Sequence, residues 1–91
     1  MYLIEIVINL DGFNEADIIY AAQPWMSQSQ AIVVPEPASG LPLEAVTCSL
    51  IYFLEISVAR EFVDGWAQLF AHQPTCEAVC ARLIQYAVND V

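Results

Sequence analysis

The chain contains no lysine, and its two arginines, Arg60 and Arg82, stand against eleven acidic residues. The formal net charge is -9 over 91 residues. Phosphate recognition needs clustered cationic side chains, so this scarcity argues against nucleic acid as a ligand. The same reasoning argues against an anionic membrane surface. A cationic protein is the favoured partner class, because complementary potentials accelerate encounter. The alternative is that the charge only keeps the protein in solution.

Charged residues are scarce, at 14%, whereas hydrophobic residues make up 58% of the chain. A chain of this length is expected to form one domain, 1–91, with a modest core. Such a core cannot readily hide so much apolar surface. The surplus is therefore expected in an interface, either with a partner protein or with a second copy in a homodimer.

Long hydrophobic runs are also missing. The longest apolar stretch, Ala45 to Leu54, is about ten residues and too short to span a bilayer. Residues 1–10 are apolar but lack a positive region and carry Glu5, so they do not resemble a signal peptide. The cysteines number three, which argues against a closed disulfide framework. A cytoplasmic location is expected.

Local patterning predicts a small α+β domain in which short strands pack against two C-terminal helices. Residues 50–56 are expected to be the central buried strand, and 18–22 with 30–34 a hairpin with a longer loop. Residues 2–10 are ambiguous, because Ile and Val favour a strand whereas the Glu5–Asn9 spacing and a Gly12 C-cap favour a short helix. The predicted strands are 18–22, 30–34 and 50–56, and the predicted helices are 57–70 and 75–89.

Apolar spacing defines the inward faces of the two predicted helices. Ser57 is the expected N-cap of the first helix, and Thr75 that of the second. An i,i+4 ion pair is expected between Arg60 and Asp64. Gly65 lies inside the first helix, where a close contact would explain it. The residues expected to face inward are Val58, Phe62, Trp66, Leu69 and Phe70 in the first helix, and Val79, Cys80, Leu83, Ala87 and Val88 in the second.

A metal site or a catalytic thiol is not expected. His72, Cys76 and Cys80 recur every four residues, with Cys48 as a possible fourth zinc ligand. However, the usual Cys-x2-Cys pair is absent, and Pro74 interrupts the helical spacing. Glu77 beside Cys76 opposes a lowered thiol pKa. No phosphate-binding glycine loop is present either, so the sequence predicts no enzyme activity, no cofactor and no metal.

Two features suit binding to a protein. Asp11, Glu15 and Asp17 lie close together in the sequence and can join Glu61 and Asp64 in an anionic patch. The alternative is that these acids are ordinary solvated residues.

Trp25 lies in a polar loop, where an apolar anchor for a partner is expected, since tryptophan is enriched at binding hot spots. The alternative is that Trp25 folds back onto the core, because a small domain needs its aromatic residues.

Three segments resemble a family of small bacterial immunity proteins that accompany polymorphic or contact-dependent toxins. They are Ile18-Ile19-Tyr20-Ala21, Gln23-Pro24-Trp25 and the stretch from Cys80 to Asp90. The resemblance implies a non-enzymatic acidic protein that neutralises a basic toxin domain, such as a nuclease, by covering its active surface. It implies no particular fold and no site residues. A self-associating module without an inhibitory role is the alternative.

Overall fold

The computed structural model describes residues 1–35, 46 and 48–89. The predicted α+β class is confirmed, with an antiparallel sheet of three strands and two C-terminal helices. The elements begin and end within a few residues of their expected bounds. They are helix α1 (Leu3–Ile8), strands β1 (Asp17–Ala21), β2 (Ala31–Pro35) and β3 (Ile51–Glu55), and helices α2 (Ile56–Ala67) and α3 (Cys76–Asn89).

The ambiguous N-terminal segment is a helix, so the strand interpretation is wrong. Its buried residues Leu3, Ile6, Val7 and Leu10 follow the helical period. The short helix is supported at its start because the amides of Leu3 and Ile4 donate to loop carbonyls, at 2.9 Å each. The helix ends at Ile8 with Asn9 as its C-cap, and Gly12 instead closes a 3-10 helix, Leu10–Gly12.

The sheet order is β2-β1-β3, which places β1 in the centre. The predicted hairpin of β1 and β2 is confirmed by antiparallel pairing from Asp17–Pro35 to Ala21–Ala31. The prediction that β3 is the central buried strand is wrong. Its first residues, Ile51 and Tyr52, are exposed, whereas β1 is buried along almost its whole length.

A register shift in β3 explains how two consecutive residues enter the same core. The β1–β3 pairing moves from Ile19–Leu54 to Tyr20–Tyr52, which leaves Phe53 as an extra residue. Such a bulge breaks the alternation of side chains across the sheet. Phe53 and Leu54 therefore both contact the core between the sheet and the helices.

The main core lies between one face of the sheet and the three helices. Ile19, Ala31 and Phe53 from the sheet meet Leu3 and Ile6 of α1. Helix α2 contributes Ile56 and Ala59, and α3 contributes Cys80, Leu83 and Ala87. Val88 was expected to face inward, but it is exposed, because it lies outside the buried stripe of α3.

Arg60 fastens the loop after α1 to helix α2. Its Nε donates to the carbonyl oxygen of Leu10 at 3.0 Å, and its Nη2 donates to that of Phe13. The same Nε lies 3.8 Å from Oδ1 of Asp11. The predicted pair with Asp64 is therefore wrong: the guanidinium turns towards the loop, where two carbonyl groups accept from it.

Three other predictions concern single residues of the helices. Thr75 caps α3 as expected, because its Oγ1 accepts from the amide of Ala78 at 3.1 Å. Ser57 does not cap α2, which begins one residue earlier, after Glu55. The close contact expected at Gly65 is not found over residues 1–35, 46 and 48–89, where nothing lies within 4 Å of an added Cβ. Glycine at this position lowers helix stability by about 1 kcal/mol relative to alanine.

Replacing Arg60 should loosen the loop. Arg60→Met removes the donor for two carbonyl groups, and the free energy of unfolding in urea should fall by about 2 kcal/mol. Asp11→Asn is the matched control, because the Asp11 side chain is fully exposed and exposed ion pairs add little. Equal stabilities of the two variants would contradict this role of Arg60.

Candidate functional site

An open groove with a volume of about 620 Å³ runs between helices α2 and α3. We call it the α2–α3 groove. Its wall is largely aromatic and aliphatic, and it also contains two charged residues of opposite sign, Glu61 on α2 and Arg82 on α3. The apolar lining consists of Val58, Phe62, Trp66, Leu69 and Tyr86, and Gly65 completes the α2 side.

The groove is lined by the stripe that was expected to enter the core. Ile56 and Ala59 are the fully buried residues of α2, so the helix is turned away from the expected orientation. Val58 and Phe62 still touch the edge of the core. Leu69 and Phe70 lie beyond the end of the helix and are 78% and 48% exposed, so their expected burial is wrong.

Two stacked aromatic rings lie in the middle of the groove. The rings of Phe62 and Tyr86 stack with centroids 4.2 Å apart. The guanidinium carbon of Arg82 lies 5.1 Å from the centroid of Phe62, within the range of a cation–π interaction. Nη1 of Arg82 also donates to Oε1 of Gln85 at 3.3 Å. The groove wall thus already holds one guanidinium on an aromatic ring.

The two tryptophans have different surroundings. Trp25 packs on the core, meets Phe53 edge-on at 4.9 Å and donates from Nε1 to the carbonyl oxygen of Ala21 at 3.2 Å. These contacts agree with the core alternative for Trp25, and its role as a partner anchor stays a prediction. Among the described residues, Trp66 is not one of the side chains that pack against the core. It contacts Phe70 at 4.8 Å and lines the groove.

The predicted acidic residues are distributed around α2. Asp11 and Asp64 line one depression on the side of α2 that carries Arg60, whereas Glu61 lines the α2–α3 groove. Glu15 is held against the start of α2, because its carbonyl oxygen accepts from the amide of Ser57 at 3.2 Å. Asp17 begins β1 and is half-buried. The loop that Arg60 fastens therefore brings Asp11 to the same depression as Asp64 of α2.

The cysteines are placed differently from one another. Cys48 and Cys76 are exposed, and Cys80 is buried. Burial raises the pKa of the Cys80 thiol from 9.0 to about 11, which keeps this thiol protonated at neutral pH. Over residues 1–35, 46 and 48–89, no three His, Cys, Asp or Glu side chains are grouped as metal ligands would be. None of the helices in the same ranges has the length and apolarity needed to cross a membrane.

Sequence reasoning did not identify Phe62, Trp66, Tyr86 and Arg82 as a surface. The available signal was a second apolar spacing in the same helix, Ile56, Ala59 and Val63, which competes with the aromatic stripe for the inward position. Ile56 and Ala59 of this second spacing are fully buried, and the bulky stripe lies along the groove.

Comparison with protein-family models, with curated proteins and with solved structures finds no match for this chain. The resemblance to immunity proteins therefore stays a prediction that rests on the sequence segments alone.

Removing each tryptophan separately should distinguish the two environments. Trp25→Ala should lower the free energy of unfolding by about 3 kcal/mol, because Trp25 loses a core contact and a hydrogen bond. Trp66→Ala should lower it by only about 1 kcal/mol, because Trp66 does not pack on the core. Urea denaturation of both variants measures the difference, and a larger loss for Trp66→Ala would contradict the assignment.

The buried thiol should make stability depend on alkaline pH. Between pH 9 and 11 the unfolded chain loses the Cys80 proton while the folded chain keeps it, so the free energy of unfolding should fall as pH rises. The fall attributable to Cys80 should be roughly 2 kcal/mol, measured by urea unfolding in reductant.

In Cys80→Ala this part of the pH dependence should disappear, whereas Cys76→Ala, which removes an exposed thiol, should keep it. An identical slope in Cys80→Ala and the unaltered protein would contradict the role of burial.

Proposed function

We propose that this protein is a non-enzymatic binding module that docks a cationic protein on the face of helix α2. The observation that carries the proposal is the α2–α3 groove, where a half-buried aromatic wall lies in the same open groove as an acidic side chain, Glu61. Interface cores are rich in aromatic residues, and the surrounding charges select the partner. The groove supplies the first property, and the acids around α2 supply the second.

The charges on and near this face of α2 favour a positively charged partner. The chain carries -9 and has no lysine, and Arg60 is directed into the loop that it fastens. Asp11 and Asp64 border the same helix on its other side. A partner with a positive surface would therefore be attracted over a distance set by the Debye length, which is about 8 Å at physiological salt.

The resemblance to immunity proteins supports an inhibitory form of this function. In that form the protein acts in the cytoplasm and covers the active surface of a basic toxin domain. To cover the active surface of a toxin domain, the protein needs only a complementary shape and complementary charge. A chain of this size seldom builds the enclosed cleft that catalysis on a small molecule requires.

A self-associating module is the second candidate, and the exposed Leu69 and Phe70 side chains favour it. The net charge opposes it, because two copies with -9 each repel one another. Salt separates the candidates: added salt should weaken binding to a cationic partner and strengthen self-association. Light scattering of the purified protein at low and high salt measures the second effect.

Binding kinetics test the charge part of the proposal. The partner is first captured from a lysate of the source organism at low salt, then purified. Its association rate should fall at least tenfold between about 0.05 M and about 0.5 M salt, because steering is screened. The double variant Glu61→Gln and Asp64→Asn should slow association at low salt.

Glu5→Gln with Glu77→Gln is the matched control, because it removes the same charge from α1 and from the start of α3. Equal rates for the two double variants would show that net charge alone acts. An association rate that does not change with salt would overturn the proposal. If the partner is a toxin, one equivalent of the protein should also abolish its activity.

A further inference from the structure

We propose that the α2–α3 groove receives an arginine of the partner, flanked by apolar side chains, and that Arg82 occupies the place of this arginine in the free protein. The inference rests on the proposed function and specifies the segment that is recognised. The occupant is thus an arginine-bearing apolar segment of another protein.

The position of Arg82 shows what the groove wall can hold. Its guanidinium carbon lies 5.1 Å from the centroid of Phe62, and that ring is stacked on Tyr86 at 4.2 Å. A planar guanidinium stacks on aromatic rings and remains weakly hydrated, which suits an apolar groove better than an ammonium group. Glu61 on α2 lines the same groove and offers a carboxylate to a cation that enters it.

The glycine at position 65 independently supports a bound segment in the groove. It lies within α2 and lines the groove, yet among the described residues nothing lies within 4 Å of an added Cβ. The described part of the chain therefore gives no reason for a glycine at this position. Close approach of a foreign segment to the helix backbone gives one, because only glycine leaves that space open.

A second copy of this chain is a poor source of the cation. The chain has no lysine, and Arg60 is directed to the carbonyl groups of Leu10 and Phe13. Arg82 of a second copy would have to leave its own Phe62 to enter the groove of the first. The chemistry of the groove therefore points to a different protein.

The two tryptophans provide the readout. Each indole Nε1–H gives one NMR signal in 15N-labelled protein; Trp66 lines the groove, and Trp25 is held on the core by its bond to Ala21. The probe is a short blocked peptide in which arginine alternates with leucine and alanine. Two control peptides carry citrulline or lysine in place of arginine.

We expect the arginine peptide to shift the Trp66 signal and leave the Trp25 signal in place. The citrulline peptide should bind at least about tenfold more weakly, because it keeps the shape of arginine and lacks the charge. The lysine peptide should bind with intermediate affinity. Arg82→Met should tighten binding of the arginine peptide several-fold, since it removes the competing cation.

Gly65→Leu should weaken binding about tenfold or more by filling the groove, while its urea midpoint stays at or above that of the unaltered protein. Gly65→Ala is the conservative variant and should weaken binding less. These two measurements separate a blocked groove from a damaged fold.

Several results would overturn the inference. They are equal affinity for arginine and citrulline peptides, a shift of Trp25 without Trp66, no shift of either signal, or no effect of Gly65→Leu on binding. A Trp66 signal that moves with protein concentration alone would assign the groove to a second copy. A different result would overturn the proposed function, namely an association rate of the captured partner that does not depend on salt or on Glu61.

Discussion

Helix α2 carries two apolar faces, and the core can accept only one of them. The accepted face contains Ile56 and Ala59, both fully buried. Val58 and Phe62 are only half-buried and pack against the edge of this core. The other face, with Phe62 and Trp66, is left along the α2–α3 groove. This division accounts for the high apolar content of the chain without a larger core.

The two arginines, Arg60 and Arg82, have different roles in the structure. Arg60 is used for structure, since it connects the loop after α1 to α2 through two carbonyl groups. By fixing that loop it also fixes Asp11 beside the helix. Arg82 is used in the groove, where it lies on Phe62. The remaining surface charge is almost entirely acidic, which is the physical basis for proposing a cationic partner.

The fold was largely predictable from the sequence because periodicity and turn chemistry are local properties. The hairpin of residues 18–34 and both C-terminal helices followed from such signals. The place of β3 was not predictable, since order in a sheet depends on contacts between distant residues, and the bulge at Phe53 arises from pairing with β1. The orientation of α2 was not predictable for a similar reason: the helix has two apolar spacings, and contacts with distant parts of the chain decide which of them is buried.

The excess of acidic side chains near the candidate site could be predicted from the sequence, but the position of the α2–α3 groove could not. Of the acidic residues named from the sequence, Asp11, Glu61 and Asp64 line depressions beside α2, whereas Asp17 begins β1. Of these acids, Glu61 lines the same groove as Trp66. For Trp25 the sequence left an anchor and a core residue as alternatives, and the contact with Phe53 agrees with the second. A loop tryptophan and a helix tryptophan cannot be distinguished without knowing which side of the helix the core takes.

Hydroxyl-radical footprinting of the complex with the captured partner tests the central claim most directly, because it reports the exposure of individual side chains. The account predicts that Trp66, Leu69 and Phe70 lose reactivity when the partner binds. Met26 is 50% exposed and lines a separate depression, so it should keep its reactivity. Protection of Met26 with unchanged reactivity of Trp66 and Leu69 would contradict docking at the α2–α3 groove.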